Sequence, residues 1–170
     1  METPKISPRP LPVLTQTENN TTLWVGHFQN DPDDHFAGQT FNCPSEGQLD
    51  NIQVYSASVH HEGELQMTLH EFNTDLKSWG DPIASSTFEI EKNDNARWIR
   101  FSLPPVDLRK GTTYGFRINS AGEAMVGLGE AATNTRKPFT FGHEWNADSR
   151  NLIGHFFSYF SLAFKVELSA

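Results

Sequence analysis

The segment Glu64-Leu65-Gln66-Met67-Thr68-Leu69-His70 decides the fold class of this chain. Apolar and polar side chains alternate along it, so Leu65, Met67 and Leu69 share one face and the polar residues share the other. A period of two residues is typical of a β-strand that turns one face toward a hydrophobic core. The pattern therefore predicts a strand over 63–72 with one dry face.

The same alternation recurs along most of the chain. Clusters of Gly, Pro, Asn and Asp separate the alternating runs, and no long segment shows the 3.6-residue period of an amphipathic helix. Many short antiparallel strands are typical of sandwiches and barrels, so we predict an all-β fold, a jelly-roll β-sandwich of two antiparallel sheets with about nine strands. The predicted strands are 21–29, 36–42, 48–59, 63–72, 82–91, 96–103, 112–120, 124–129 and 155–168.

Length and composition indicate one domain preceded by a short arm. The 170 residues suit a single hydrophobic core. Four prolines between residues 1 and 14 favour an extended, polyproline-like arm, so we expect the sandwich domain to span 15–170. No stretch is long and apolar enough to span a membrane, and no N-terminal targeting segment is visible, so we expect no membrane insertion.

The charge and the cysteine content exclude several classes of function. The formal net charge is −8, with 21 acidic and 13 basic side chains, so the mean field repels nucleic acid and anionic lipid. A single cysteine, Cys43, excludes an intrachain disulfide and a multi-cysteine zinc site. We therefore expect no nucleic-acid partner.

Three segments carry a resemblance to a known class of domain. They are Gly38-Gln39-Thr40-Phe41-Asn42-Cys43-Pro44, Gly111-Thr112-Thr113-Tyr114-Gly115-Phe116 and Leu162-Ala163-Phe164-Lys165-Val166. Together with the strands between them, they resemble jelly-roll β-sandwich modules that accompany bacterial extracellular enzymes and adhesins. The resemblance implies a non-catalytic module that binds carbohydrate or acts in adhesion, and an extracellular location if a signal has been removed. It supplies no ligand-binding residues.

The richest segment outside the predicted strands is 142–150. An exposed aromatic ring can stack on the C–H face of a sugar, while carboxylate, imidazole and guanidinium groups bind its hydroxyls. We therefore predict a glycan-binding loop formed by His143, Glu144, Trp145, Asp148 and Arg150. The alternative is that the Trp145 side chain closes one end of the sandwich.

Two further sites can be proposed from the residue types. Asp31, Asp33 and Asp34 form a dense oxygen cluster that could hold a structural calcium ion, although a solvated acidic turn is the simpler interpretation. Outward positions of three strands could form a binding face if those strands are neighbours. These positions are Gln66, Thr68, His70, Trp98, Arg100, Arg117 and Asn119.

No catalytic motif is recognisable. The chain contains no Gly-x-Ser-x-Gly nucleophile turn, and its seven histidines are scattered without the spacing of a metal-ligand set. We therefore expect a non-enzyme that binds a polysaccharide or another glycan. The alternatives are a structural domain that contacts another protein through the 1–14 arm, and a metal-dependent enzyme of the cupin kind.

Overall fold

The computed structural model describes residues 9–134 and 136–169. Within these residues the chain forms fourteen strands and one short 3₁₀ turn, Lys92–Asp94, and no α-helix. The all-β prediction is confirmed, but the strand count is fourteen rather than about nine. The strands are β1 (Leu11–Gln16), β2 (Thr21–His27), β3 (Asp34–Asn42), β4 (Gly47–His61), β5 (Gly63–Asn73), β6 (Ser78–Ile90), β7 (Arg97–Ser102), β8 (Asp107–Leu108), β9 (Thr113–Ser120), β10 (Met125–Ala132), β11 (Glu144–Asp148), β12 (Asn151–Phe157), β13 (Phe160–Leu162) and β14 (Phe164–Leu168).

The strands join into one curled antiparallel sheet. Its main path runs β1-β14-β4-β10-β2-β3-β9-β5-β6. Outside this path, β11 pairs with β3 and β12, β13 pairs with β10, and β7 and β8 both pair with β4. Strand β2 pairs along its length with β10 but meets β3 only at Gly26 and His27. Strands β2 and β3 therefore diverge and leave space between them.

The core follows the predicted alternation. Leu65, Met67 and Leu69 are fully buried, and the inward residues of β4, β7, β9 and β14 join them in one hydrophobic cluster. Phe41, Phe116 and Phe164 are among the largest fully buried side chains, and the ring centroids of Phe41 and Phe116 lie 6.2 and 5.7 Å from that of Phe164. Such burial is the main source of stability in a fold of this kind.

The predicted last strand, 155–168, is divided among three strands. β12 pairs with β11, β13 with β10, and β14 with both β1 and β4. The chain leaves regular strand structure at Ser158 and Tyr159 and again at Ala163. Each break sends the next strand to a new partner, which alternation alone does not reveal.

The end of the predicted arm belongs to the sheet. β1 pairs with β14 over Leu11 to Gln16, and a register shift lies between Pro12 and Leu14. Proline is tolerated here because β1 lies at the edge of the sheet path, where an amide donor is not required on both sides. The predicted boundary at residue 14 therefore falls inside a strand, and residues 1–8 of the arm lie outside the described residues. In the part of the chain that the structure describes, no helix is long and apolar enough to cross a membrane.

Candidate functional site

The segment predicted as a glycan-binding loop forms a β-hairpin instead. Residues 144–148 are strand β11, which pairs with β3 on one side and with β12 on the other. The loop prediction was wrong because Glu144, Asn146 and Asp148 are polar residues at alternate positions, which hides the strand pattern. The neighbouring strand β3 pairs with β11 and buries part of it.

Trp145 does not offer an exposed ring. It is 2% exposed, and its indole Nε1 donates a hydrogen bond to the backbone oxygen of Ile153 at 2.8 Å. Its ring lies edge-on to Trp79, with centroids 5.4 Å apart. The prediction of an exposed stacking surface at Trp145 was therefore wrong. This side chain packs against Trp79 and the backbone of β12.

The other four residues of that prediction occupy different environments. Glu144 is buried, whereas Arg150 is exposed and its Nε lies 2.7 Å from Asp33 Oδ2. His143 lines a separate cavity of about 360 Å³ beside Phe72, where burial and the nearby Lys77 lower the pKa of its imidazole. These residues do not converge on one point, and whether any of them binds a ligand stays a prediction.

A cleft lined by both aromatic and polar side chains lies between β2 and the hairpin. Its volume is about 330 Å³. Trp24 and Phe28 are half-buried on one wall, with ring centroids 5.7 Å apart. We call this space the aromatic cleft; its lining is Thr22, Leu23, Trp24, Phe28, His35, Phe36, Asn146, Ala147, Asp148, Asn151, Gly154 and His155.

The opposite wall of the aromatic cleft is polar. Asp148 Oδ1 accepts backbone hydrogen bonds from Arg150 at 2.9 Å and Asn151 at 2.8 Å, which fixes the turn between β11 and β12. Within residues 9–134 and 136–169, Asp148 Oδ2 and the side-chain amide of Asn146 have no hydrogen-bond partner. The wall thus presents unused donors and acceptors beside two aromatic rings.

Of the predicted site residues, only Asp148 lies in the aromatic cleft. Trp24 was not predicted as a site residue because the strand that contains it was predicted only from its apolar residues. The signal was available: Trp24 occupies the alternate position next to the buried Val25, so the period of β2 places a large aromatic ring outside the core. Phe28 directly follows β2, whereas His35 lies on β3, and neither could be placed in the cleft without the divergence of β2 from β3.

Each carboxylate of the acidic cluster contacts a different nitrogen-bearing side chain. Asp31 Oδ2 lies 2.8 Å from His35 Nε2, and this hydrogen bond is the main cause of the lowered pKa of Asp31. Asp33 pairs with Arg150, and Asp34 Oδ1 lies 3.0 Å from His27 Nδ1. In the described residues, no group of three or more His, Cys, Asp or Glu side chains is arranged to hold a metal ion. The three carboxylates therefore contact His35, Arg150 and His27 separately, and a calcium ion at this cluster stays a prediction.

A buried polar cluster lies behind the hairpin. Glu144 is 1% exposed, and its Oε1 has no hydrogen-bond partner. Burial, followed by hydrogen bonding and charge from the neighbouring Glu130 carboxyl, raises the pKa of Glu144 to about 10. Gln39 is also buried, and its Oε1 accepts the backbone N–H of Leu162 at 3.0 Å. The raised pKa favours the protonated form of the Glu144 carboxyl in the folded chain.

The predicted outer face is present in part. β5 and β9 are neighbours, so Thr68 lies opposite Arg117 and Gln66 lies opposite Asn119. The third strand is elsewhere, since β7 pairs with β4 and carries Trp98 away from this face. A cavity of about 320 Å³ opens here, and we call it the Arg117 cavity; its lining is Phe36, Thr68, Arg117, Ile118, Asn119, Trp145 and Leu152.

No protein-family model matches the chain, and no curated protein matches it. The resemblance to bacterial jelly-roll modules therefore stays a prediction.

Proposed function

We propose that this chain is a non-catalytic carbohydrate-binding module whose ligand lies in the aromatic cleft. One observation carries the proposal: Trp24 and Phe28 are half-buried on one wall, and unpaired polar groups of Asn146 and Asp148 occupy the other. Sugars need both kinds of contact, because a pyranose has an apolar C–H face and a rim of hydroxyl groups.

The aromatic wall is suited to stacking. Trp24 also contacts His60 edge-on, with ring centroids 6.4 Å apart, so its ring is supported from outside the cleft. Gly127 leaves room for it, since a Cβ at that residue would lie 3.3 Å from the Trp24 ring. A ring held from two sides loses little conformational freedom when a ligand binds.

The polar wall is suited to hydroxyl groups. Asp148 Oδ1 is occupied by two backbone N–H donors, which leaves Oδ2 as an acceptor for a ligand hydroxyl. The side-chain amide of Asn146 can donate and accept, and the exposed imidazole of His155 adds a further group. The hairpin therefore contributes the specificity, and β2 contributes the stacking surface.

The proposal also includes the layered arrangement of the sheet. We infer that the curled sheet corresponds to a two-layered jelly roll in which the β10-β4-β14 and β3-β9-β5 regions are the layers. What supports this inference is the single hydrophobic cluster that joins inward residues of both regions, such as Val54 and Phe116. In that arrangement the aromatic cleft lies where β2 passes between the layers.

A glycan array with the intact chain tests the proposal. Hits are expected among oligosaccharides, and their affinities can then be measured by calorimetry. Trp24→Ala is expected to weaken binding by about tenfold or more, because stacking on an aromatic ring contributes an energy of that order. Trp98→Ala is the matched control: Trp98 packs against Tyr55 and Lys165 outside the cleft, so affinity should not change.

Two results would contradict the proposal. One is an array without hits for a chain that is shown to be folded by circular dichroism. The other is a Trp24→Ala variant that binds as tightly as the unsubstituted protein. The second result would move the site away from the aromatic cleft even if the chain binds glycans.

A further inference from the structure

Arg117 lacks a partner in a position where arginine usually has one. Within residues 9–134 and 136–169, its guanidinium has neither a hydrogen-bond partner nor an ion-pair partner. By contrast, Arg109 and Arg150 are more exposed, yet each lies 2.7 Å from a carboxylate oxygen. Burial also lowers the pKa of Arg117, as expected for a cation without a counter-charge.

Two tryptophans hold the guanidinium in place. The Arg117 Cζ atom lies 5.1 Å from the centroid of Trp79 and 5.7 Å from that of Trp145. Contacts with ring faces leave the N–H donors at the edge of the guanidinium plane unused. A planar fork of donors at that edge matches the two oxygens of a carboxylate.

The cavity around Arg117 contains no competing acid. Its lining includes no aspartate or glutamate, although the chain as a whole carries a net charge of −8. Asn119 contributes a side-chain amide without a hydrogen-bond partner among the described residues. Leu152, 67% exposed, and Phe36 form an apolar border. The cavity therefore favours a ligand that carries a carboxylate together with C–H and hydroxyl groups.

Thr68 adds an acceptor to this cavity. His70 Nδ1 lies 2.8 Å from the Gly80 carbonyl, so Nδ1 carries the proton and donates it. His70 Nε2 is then an acceptor for the Thr68 hydroxyl, which lies 2.8 Å away. With its hydrogen used, the Thr68 oxygen can accept a hydrogen bond from a ligand hydroxyl.

The Arg117 cavity adjoins the aromatic cleft, because Phe36 lines both. We propose that the Arg117 cavity binds the carboxylate of a uronic acid residue, and that the ligand class of this module is therefore acidic glycans. This inference rests on the proposed function for the choice of a sugar. The carboxylate site itself depends only on Arg117 and the residues around it.

The test compares two monosaccharides that differ only in the carboxylate. Methyl glucuronide and methyl glucoside are titrated into ¹⁵N-labelled intact chain, and the indole N–H signals of the four tryptophans are followed by NMR. The glucuronide is expected to shift the signals of Trp79 and Trp145, and the glucoside is not. Trp24 reports on the aromatic cleft, and Trp98 is the internal control.

Variants of Arg117 separate charge from geometry. Arg117→Gln is expected to weaken glucuronide binding by about tenfold or more, because a charge-assisted pair of hydrogen bonds is lost. Arg117→Lys keeps the charge without the planar fork and is expected to lose most of the same affinity. Should either variant fail to fold, raised salt on the unsubstituted chain is expected to weaken glucuronide binding selectively.

The outcomes distinguish the two proposals. Shifts at Trp24 alone, equal for both sugars, would overturn the carboxylate site and leave the aromatic cleft as a glycan site. Shifts at Trp79 and Trp145 with the glucuronide, and none at Trp24 with any glycan, would support the carboxylate site and refute the aromatic cleft. The absence of shifts at all three would overturn both.

Discussion

Replacing Glu144 by Gln is expected to stabilise the protein at neutral and alkaline pH. The carboxyl group is 1% exposed, and its pKa is raised from 4.5 to about 10, mainly by burial and then by Glu130. Between these two pH values the folded chain holds a proton that the unfolded chain has released. The contribution of Glu144 to stability is therefore fully present below pH 4.5 and is lost as pH rises toward the pKa of the folded state.

The size of the effect follows from proton linkage. One extra bound proton makes the free energy of unfolding fall by about 1.4 kcal/mol per pH unit, so raising the pH from 6 to 8 costs at most about 2.7 kcal/mol. Domains of this kind have a total stability of about 5–15 kcal/mol, so the change is easily measurable. A glutamine resembles the protonated acid in shape but does not ionise, so Glu144→Gln should flatten this dependence.

Urea denaturation followed by tryptophan fluorescence from pH 5 to pH 9 is the appropriate assay. The unsubstituted chain and the Glu144→Gln variant should have similar free energies of unfolding near pH 4.5. As pH rises, these free energies should diverge, and the variant should be the more stable protein. Glu89→Gln is the control, since Glu89 is exposed on β6 and its removal should leave the slope unchanged. Parallel pH profiles for the Glu144 variant and the unsubstituted chain would refute the reasoning, because they would show that Glu144 is ionised in the folded state.

Three further substitutions or truncations test the packing. Trp145→Ala is expected to lower the free energy of unfolding by about 3–5 kcal/mol in urea, because a buried tryptophan is removed. Gly142→Ala should lower the melting temperature strongly, since its Cβ would lie 1.9 Å from the Thr40 carbonyl oxygen, whereas Gly122→Ala meets nothing within 4 Å and should change it little. A chain that begins at Thr17 lacks β1 and should lose about 3 kcal/mol in a calorimetric comparison, because two half-buried apolar side chains leave the core.

The core of this fold was predictable because burial alone determines it. The residues 63–72 were assigned as a strand with one dry face, and the strand Gly63–Asn73 buries Leu65, Met67 and Leu69 completely. Alternation reports which face of a strand is apolar, and that information is local. It does not report which strand comes next in the sheet, so the division of 155–168 among three partners could not be derived.

The edges of the fold were predictable only in part. Prolines between residues 1 and 14 indicated an extended chain, and Leu11–Gln16 is extended, but it is paired with β14 rather than free. An edge strand tolerates proline, so the same residues are compatible with an arm and with a strand. The choice depends on whether β14 offers an unpaired side, which is a property of the whole sheet.

The prediction of a loop over 142–150 failed at β11 for a single physical reason. A buried strand with neighbours on both edges normally carries apolar residues. Strand β11 instead carries Glu144, Asn146 and Asp148 on one face. Those residues made the segment look like a loop. The same face supplies the buried acid of the polar cluster and the polar wall of the aromatic cleft. Proteins depart from such local rules at functional or strained sites, and β11 is a departure of this kind.

The two candidate sites have a common structural basis in that hairpin. Asn146 and Asp148 line the aromatic cleft, while Trp145, at the alternate position between Glu144 and Asn146, supports the guanidinium of Arg117. Because successive side chains of a strand point to opposite faces, one short strand can serve two neighbouring cavities at once. A ligand long enough to pass Phe36 would therefore contact both faces of the same strand. The hydrogen bond from Trp145 to Ile153 would then hold the two subsites in a constant relative position.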